Sequence, residues 1–123
     1  MKITGIELEE QDILNILTDT LETNAIGYWA QYQTWERIEE KVIDDPRANC
    51  VTKINIKELN NDETAWEIPH TITYDTIVTG VRLIVSGEVD NSYIRNMILD
   101  DDIDSDGCDC IVQAGLFGEI KYG

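Results

Sequence analysis

Basic residues are scarce in this sequence. Nine Lys and Arg stand against 25 Asp and Glu, so the formal net charge at pH 7 is −16. Nucleic acids and anionic membranes are bound through basic surfaces, and the charge therefore argues against either as a direct partner. Repulsion among so many carboxylates also destabilises a small domain. The acidity indicates either a generally solvated surface or a surface that meets a basic partner.

Long apolar runs are absent as well. No stretch reaches the roughly 18 apolar residues of a membrane span, and the N-terminal segment lacks the apolar core of an export signal. We therefore expect a cytoplasmic protein that does not cross a membrane. The apolar fraction of 42% still supports a folded core, and 123 residues predict a single domain over 1–123.

Cysteine and histidine are too few and too irregular to indicate a metal or redox site. Cys50, Cys108 and Cys110 form an odd set without repeated spacing, which favours small apolar side chains in a reducing compartment. Zinc binding by these thiols with His70 is a weaker alternative. His70 is accompanied by no GxSxG, HExxH, P-loop or GxGxxG motif, so we expect no enzyme, no catalytic residue and no cofactor.

One segment, residues 70–87, has both the spacing and the end signals of a buried helix. Thr73 is a candidate N-cap, Asp75 suits the positive end of the helix dipole, and Gly87 stands where a left-handed C-cap belongs. His70 is then expected as a polar cap near the helix start. Because Ile, Val and Thr favour strands, a strand over 77–85 is the alternative. The apolar stripe of the helix consists of Tyr74, Ile77, Val78, Val81, Ile84 and Val85.

The remaining chain supplies a sheet and further helices to cover that stripe. Alternating apolar residues predict four strand regions, at 2–8, 25–35, 50–68 (a hairpin) and 119–122. Helical spacing predicts three more helices, at 9–22, 93–98 (capped by Asp90 or Ser92) and 108–116. The expected fold class is α+β, with a mainly antiparallel sheet of about three to five strands packed by three or four helices.

The aromatic strand puts Trp29 and Trp35 on one face. In one alternative both faces of the strand are buried, one in the core and the other under a helix. In the other alternative the two Trp side chains form an exposed anchor for a partner. An exposed Trp pair would mark an interaction surface.

Residues 102–107 match the first half of a calcium-binding EF-hand loop, with alternate acids followed by Gly107. The match then ends, because Asp109 and Gln113 stand where an apolar residue and a bidentate Glu belong. We therefore expect a charged connector between two helices and no metal site.

Two acid-rich segments form the candidate protein-binding surface. Carboxylates gathered on one face can be spaced like the phosphates of a duplex and can compete for a basic groove. The predicted surface consists of Glu36, Glu39, Glu40, Asp44, Asp45, Asp100, Asp101, Asp102, Asp104 and Asp106.

Three stretches resemble small acidic proteins encoded by phages and prophages. They are Ile26-Gly27-Tyr28-Trp29, His70-Thr71-Ile72-Thr73 and the ending DGCDCIVQAGLFGEIKYG over 106–123. The resemblance implies a Gly-Tyr-Trp strand, a central helix after a His-containing strand, and a C-terminus close to AD-IVQ-ALFGE-YG. Cys110 and Gly115 depart from the Val or Ala expected there, which affects packing alone. The resemblance implies a phage accessory protein and transfers no catalytic residue.

Phage origin favours proteins that disarm host defence. The leading hypothesis is a non-catalytic, anti-CRISPR-like inhibitor that binds a host defence protein at its basic nucleic-acid groove by DNA mimicry, in the host cytoplasm. A protein that sequesters a nucleotide signal through Lys53, Lys57, Arg82 and Arg95 is an alternative, and so is a structural or assembly partner. The sequence leaves the oligomeric state open, a homodimer included.

Overall fold

The computed structural model describes residues 2–3, 6–39 and 45–123. Two short strands, β1 (Lys2–Ile3) and β2 (Ile6–Glu7), pair antiparallel and lead into helix α1 (Glu10–Glu22). Three longer strands and three helices follow in chain order: β3 (Ala30–Arg37), β4 (Val51–Leu59), β5 (Trp66–Thr73), α2 (Tyr74–Ser86), α3 (Ser92–Leu99) and α4 (Ser105–Phe117). These described residues form the α+β fold that the sequence predicts, with four helices and a three-stranded antiparallel sheet.

The three-stranded sheet is a meander with β4 in the middle. Ile56 of β4 pairs with Tyr32 of β3 and with His70 of β5. Strand alternation turns Ile54, Ile56 and Glu58 of β4 inward, where all three are buried. Helix α1 packs on this side of β4, and the opposite side of the sheet carries polar side chains.

Helix α2 confirms the end signals read from the sequence. The Thr73 hydroxyl accepts a hydrogen bond from the Thr76 backbone N–H, and Gly87 closes the helix with a φ of 85°. Ile77, Val81 and Ile84 are fully buried. The alternative strand over 77–85 is therefore wrong, because the apolar stripe outweighs the strand preference of Ile and Val.

Helices α2 and α4 approach so closely that their backbones touch at two glycines. A Cβ atom on Gly80 would lie 2.0 Å from the Ile111 carbonyl oxygen, and one on Gly115 would lie 2.1 Å from that of Thr76. Only glycine fits at either position. Gly80 and Gly115 are thus both required by this helix crossing.

Several predicted boundaries are wrong. The segment 23–29 forms turns, and the aromatic strand starts only at Ala30. Strand β5 continues past Ile68 to Thr73 and runs directly into α2. Among the described residues, 119–122 form no strand. Helix α3 is capped by Asn91, whose side chain accepts from the Ile94 N–H, and the predicted strand over 2–8 is a pair of two-residue strands.

None of the helices in the described ranges is long and apolar enough to cross a membrane.

Candidate functional site

Trp29 is a core residue and does not form a surface anchor. Its side chain is 0% exposed, and its indole N–H donates to Asp109 Oδ1 at 2.8 Å. Of the two alternatives for the Trp face, the core position is therefore correct for Trp29 and the exposed anchor is wrong for it, because a turn carries the residue inward before β3 begins. Trp35 on β3 remains 48% exposed.

Asp109 is the buried partner of that indole. Its carboxylate accepts two further hydrogen bonds, from the Tyr28 hydroxyl at 2.5 Å and from Gln113 Nε2 at 2.8 Å. Three donors satisfy a buried carboxylate without a cation. Burial raises the pKa of Tyr28, and the hydrogen bond to Asp109 raises it further, so the hydroxyl remains a donor.

Gln113 holds the C-terminal segment against α4. Its Oε1 atom accepts from the backbone N–H groups of Lys121 at 2.8 Å and Tyr122 at 2.7 Å. The Tyr122 ring stacks on Trp29 with a centroid distance of 5.3 Å. The segment after Phe117 is therefore anchored by a side chain, without the strand that alternation predicts.

Glu58 is the second buried carboxylate, 2% exposed on β4. It contacts His70 Nε2 at 2.7 Å, accepts from Lys121 Nζ at 2.8 Å and accepts from the Tyr122 hydroxyl. Burial raises the pKa of Glu58, but the hydrogen bonds from Lys121, Tyr122 and His70 outweigh burial and hold it below its ordinary value. The prediction of His70 as a helix cap is wrong, because β5 still includes it.

These two networks join three distant parts of the chain. Tyr28 and Trp29 from the front, His70 from the middle, and Asp109, Gln113 and Tyr122 from the end lie in one contiguous cluster. Every polar group described above has a partner within the protein. These side chains therefore have a structural role, as a clamp on the C-terminal segment.

The thiols of Cys108 and Cys110 are poor nucleophiles and poor metal ligands. Burial raises the pKa of Cys108 to about 12 and that of Cys110 to about 11, and nearby carboxylates add to the increase. Cys50 and Cys108 are buried, and all three cysteines are free. Within 2–3, 6–39 and 45–123, no group of His, Cys, Asp and Glu side chains could hold a metal ion.

The predicted acidic residues fall into two separate regions. Asp100, Asp101, Asp102, Asp104 and Asp106 are all exposed between α3 and the first turn of α4, a segment (residues 100–106) that we call the connector. The calcium-loop pattern has a local explanation, because the Asp104 side chain caps α4 by accepting from the Gly107 N–H.

The other predicted region lies after the middle of β3. Glu36 and Glu39 are exposed, and Glu36 pairs across the sheet with Lys53. Asp45 is half-buried and forms an ion pair with Arg47 at 3.3 Å. Glu40 and Asp44 lie outside the described residues.

The connector meets α1 across a groove, which we call the α1–connector groove. Its volume is about 160 Å³. Its rim carries Asp12, Asn15 and Asp19 of α1 and Asp101 of the connector. Its floor is apolar and consists of Leu8, Ile16, Val81, Ile98 and Ile103.

Asp12 and Asp19 are the functional candidates that sequence reasoning missed. They are seven positions apart, which is two helical turns, so they share one face of α1. Burial raises the pKa of Asp19, and repulsion from Glu22 raises it further. The helical spacing was visible in the sequence, but the contact between α1 and residue 101 depends on tertiary packing.

The groove has no basic residue in its lining. The same is true of two further clefts, one of about 280 Å³ beside Tyr93 and Asp102 and one of about 400 Å³ beside Tyr28 and Asp106. Several cations are engaged elsewhere: Arg37 with Glu22, Arg47 with Asp45 and Lys121 with Glu58. In the described part of the chain, the carboxylates of Asp19 and Asp101 form no hydrogen bond or ion pair within the protein.

Compared with known proteins, the chain matches no family model, no curated protein and no solved structure.

Proposed function

We propose that this protein is a non-catalytic, phage-type inhibitor whose acidic surface occupies the basic nucleic-acid groove of a host defence protein by DNA mimicry. One observation carries the proposal: carboxylates from α1 and from the connector, about 80 to 90 positions apart in the chain, converge on one groove that no Lys or Arg lines.

The arrangement of these acids favours a partner surface over general solubility. A solubilising charge works wherever it is exposed, so solubility alone gives no reason to gather unpaired acids around a groove. Within this groove Asp19 is itself in an unfavourable position, because burial and, after it, repulsion from Glu22 raise its pKa. A cation of a basic partner would favour the ionised form of Asp19 and so offset both effects.

The nucleotide-sequestering alternative receives less support. A nucleotide site needs cations that converge on the phosphates, whereas the three clefts described above are lined without Lys or Arg. Lys53 and Lys57 alternate with the buried Ile54, Ile56 and Glu58 along β4, so they face the outer side of the sheet.

Affinity capture with a nucleic-acid challenge tests the proposal. The protein is immobilised, incubated with a bacterial lysate freed of nucleic acid, and eluted in parallel with duplex DNA and with a salt gradient, and the eluted proteins are identified by mass spectrometry. We expect retained nucleic-acid-binding proteins that DNA releases and that rising salt also releases, since both ligands use the same basic side chains. Retained proteins that added DNA leaves in place would contradict mimicry.

A further inference from the structure

The size of the α1–connector groove restricts what can enter it. Its volume of about 160 Å³ is smaller than the roughly 300 to 1,000 Å³ of small-molecule sites. A nucleotide or a helix is too large, but a single long side chain matches this space. The groove therefore suits one residue of a protein partner.

The chemistry of the lining selects a cation with an aliphatic stem. The floor is apolar, with Ile16, Val81 and Ile98 almost fully buried beneath it. Above the floor, Asp12, Asp19 and Asp101 supply negative charge from both sides of the groove. Lys and Arg are the side chains that place methylene groups on an apolar surface while their charged end meets carboxylates.

Arginine fits the rim better than lysine. Asp19 and Asp101 have unengaged carboxylates within the described residues, and Asp12 uses one oxygen to accept from the Glu9 N–H at 2.9 Å. A guanidinium has five N–H donors in a planar fork, so one group can pair with more than one of these acceptors. It is also less strongly hydrated than an ammonium, which lowers the cost of entering a partly buried groove.

We infer that the α1–connector groove receives an arginine side chain of the partner protein. This inference rests on the proposed function and adds to it the position of the anchoring contact. The arginine stem lies on Ile16 and Ile103, and the guanidinium pairs with Asp19 and Asp101. The contact gives the acidic surface a fixed register on its target, which charge alone does not supply.

Two peptides of equal charge provide the first test. Nona-arginine and nona-lysine are titrated into the protein by calorimetry at low ionic strength. We expect nona-arginine to bind about fivefold more tightly, because paired hydrogen bonds to carboxylates are specific to the guanidinium. Equal affinities would overturn the choice of arginine.

Two matched triple variants locate the contact. The groove variant carries Asp12→Asn, Asp19→Asn and Asp101→Asn, and the turn variant carries Asp62→Asn, Glu63→Gln and Glu67→Gln in and just after the β4–β5 turn. Each removes three negative charges. We expect the groove variant to bind nona-arginine about tenfold more weakly than the turn variant, and equal losses would overturn the inference.

A substitution that leaves the charge unchanged tests whether the peptide enters the groove or only responds to its negative charge. Asn15→Leu fills the rim without changing the net charge, and Asn61→Leu makes the same change at an exposed position of the β4–β5 turn that lines none of the three clefts. We expect about a fivefold loss of nona-arginine affinity for the first and none for the second. Equal affinities of both variants would overturn insertion into the groove.

These peptide results are separate from the test of the proposed function. If the groove variants match their controls while DNA still releases the captured proteins, the inference fails and the inhibitor hypothesis stands on the wider acidic surface. If DNA releases none of the captured proteins, the proposed function fails, whatever the peptide affinities are.

Discussion

At the scale of single residues, the ionised carboxylates of Glu58 and Asp19 have opposite effects on the stability of the fold. Glu58 has a lowered pKa because its hydrogen bonds outweigh burial, and Asp19 has a raised pKa because of burial and Glu22. The folded state therefore favours the ionised form of Glu58 and disfavours that of Asp19. The ionised Glu58 carboxylate therefore stabilises the fold, whereas the ionised Asp19 carboxylate destabilises it unless a cation binds beside it.

Glu58→Gln should destabilise the protein at neutral pH by about 1 to 3 kcal/mol, since Lys121 and Tyr122 lose a charged acceptor. The contribution of Glu58 is present above its unfolded pKa of about 4.3 and is lost as pH falls through the lower folded value. Urea unfolding at several pH values checks this. The difference between wild type and variant should shrink in acid, and a difference that grows as pH falls would contradict the assignment.

Asp19→Asn should stabilise the protein at pH 7. Asn removes a partly desolvated charge and its repulsion from Glu22, a gain limited by solvent screening to about 0.5 kcal/mol, or roughly 2 °C in Tm. The sign follows from the raised pKa: the ionised form costs stability at neutral pH, and that cost disappears as pH falls through the folded pKa. Calorimetric scans at neutral and acidic pH measure this difference in Tm, with Asp62→Asn as the control. A lower Tm for Asp19→Asn than for wild type at pH 7 would contradict the prediction, because it would show that the Asp19 carboxylate is already paired.

At the scale of elements, helix α2 was predictable because its signals are local: the cap at Thr73, the apolar stripe and Gly87 all lie within one segment. A core position for Trp29 was one of two alternatives, but its hydrogen bond to Asp109 could not be predicted, since that residue lies 80 positions along the chain. Strand β5 passes Pro69 because it is an edge strand, where a missing N–H is tolerated.

The position of Glu58 was partly predictable. It lies in phase with Ile54 and Ile56 along β4, which already indicates an inward-facing acid. Its partners could not be foreseen, because Lys121 and Tyr122 reach it only through the packing of the chain end. The groove was missed for the same reason, since α1 and the connector meet only in the folded molecule.

Gly80→Ala and Gly115→Ala should each destabilise the protein by about 1 to 3 kcal/mol, although Ala is the better helix former by about 1 kcal/mol. The added methyl group would strike a backbone carbonyl of the neighbouring helix. Ser105→Ala is the control, because it introduces the same residue at an exposed position of α4. Chemical denaturation measures the three variants, and stabilisation by Ala at position 80 or 115 would contradict the close crossing of α2 and α4.

At the scale of the whole molecule, the charge of −16 predicts that salt stabilises the free protein. Counter-ions screen repulsion among the acids over a Debye length of about 10 Å at 0.1 M. The Tm should rise between low and moderate NaCl concentrations. A Tm that stays flat or falls would mean that the acids are already neutralised by specific partners.

Displacement of nucleic acid from the purified target tests the central claim most directly. Labelled duplex DNA is bound to the captured protein and followed by fluorescence anisotropy while wild type, the groove variant or the turn variant is added. We predict complete, competitive displacement by wild type and the turn variant, a requirement for about tenfold more of the groove variant, and weaker displacement as salt rises. DNA that remains bound beside the inhibitor would contradict the account.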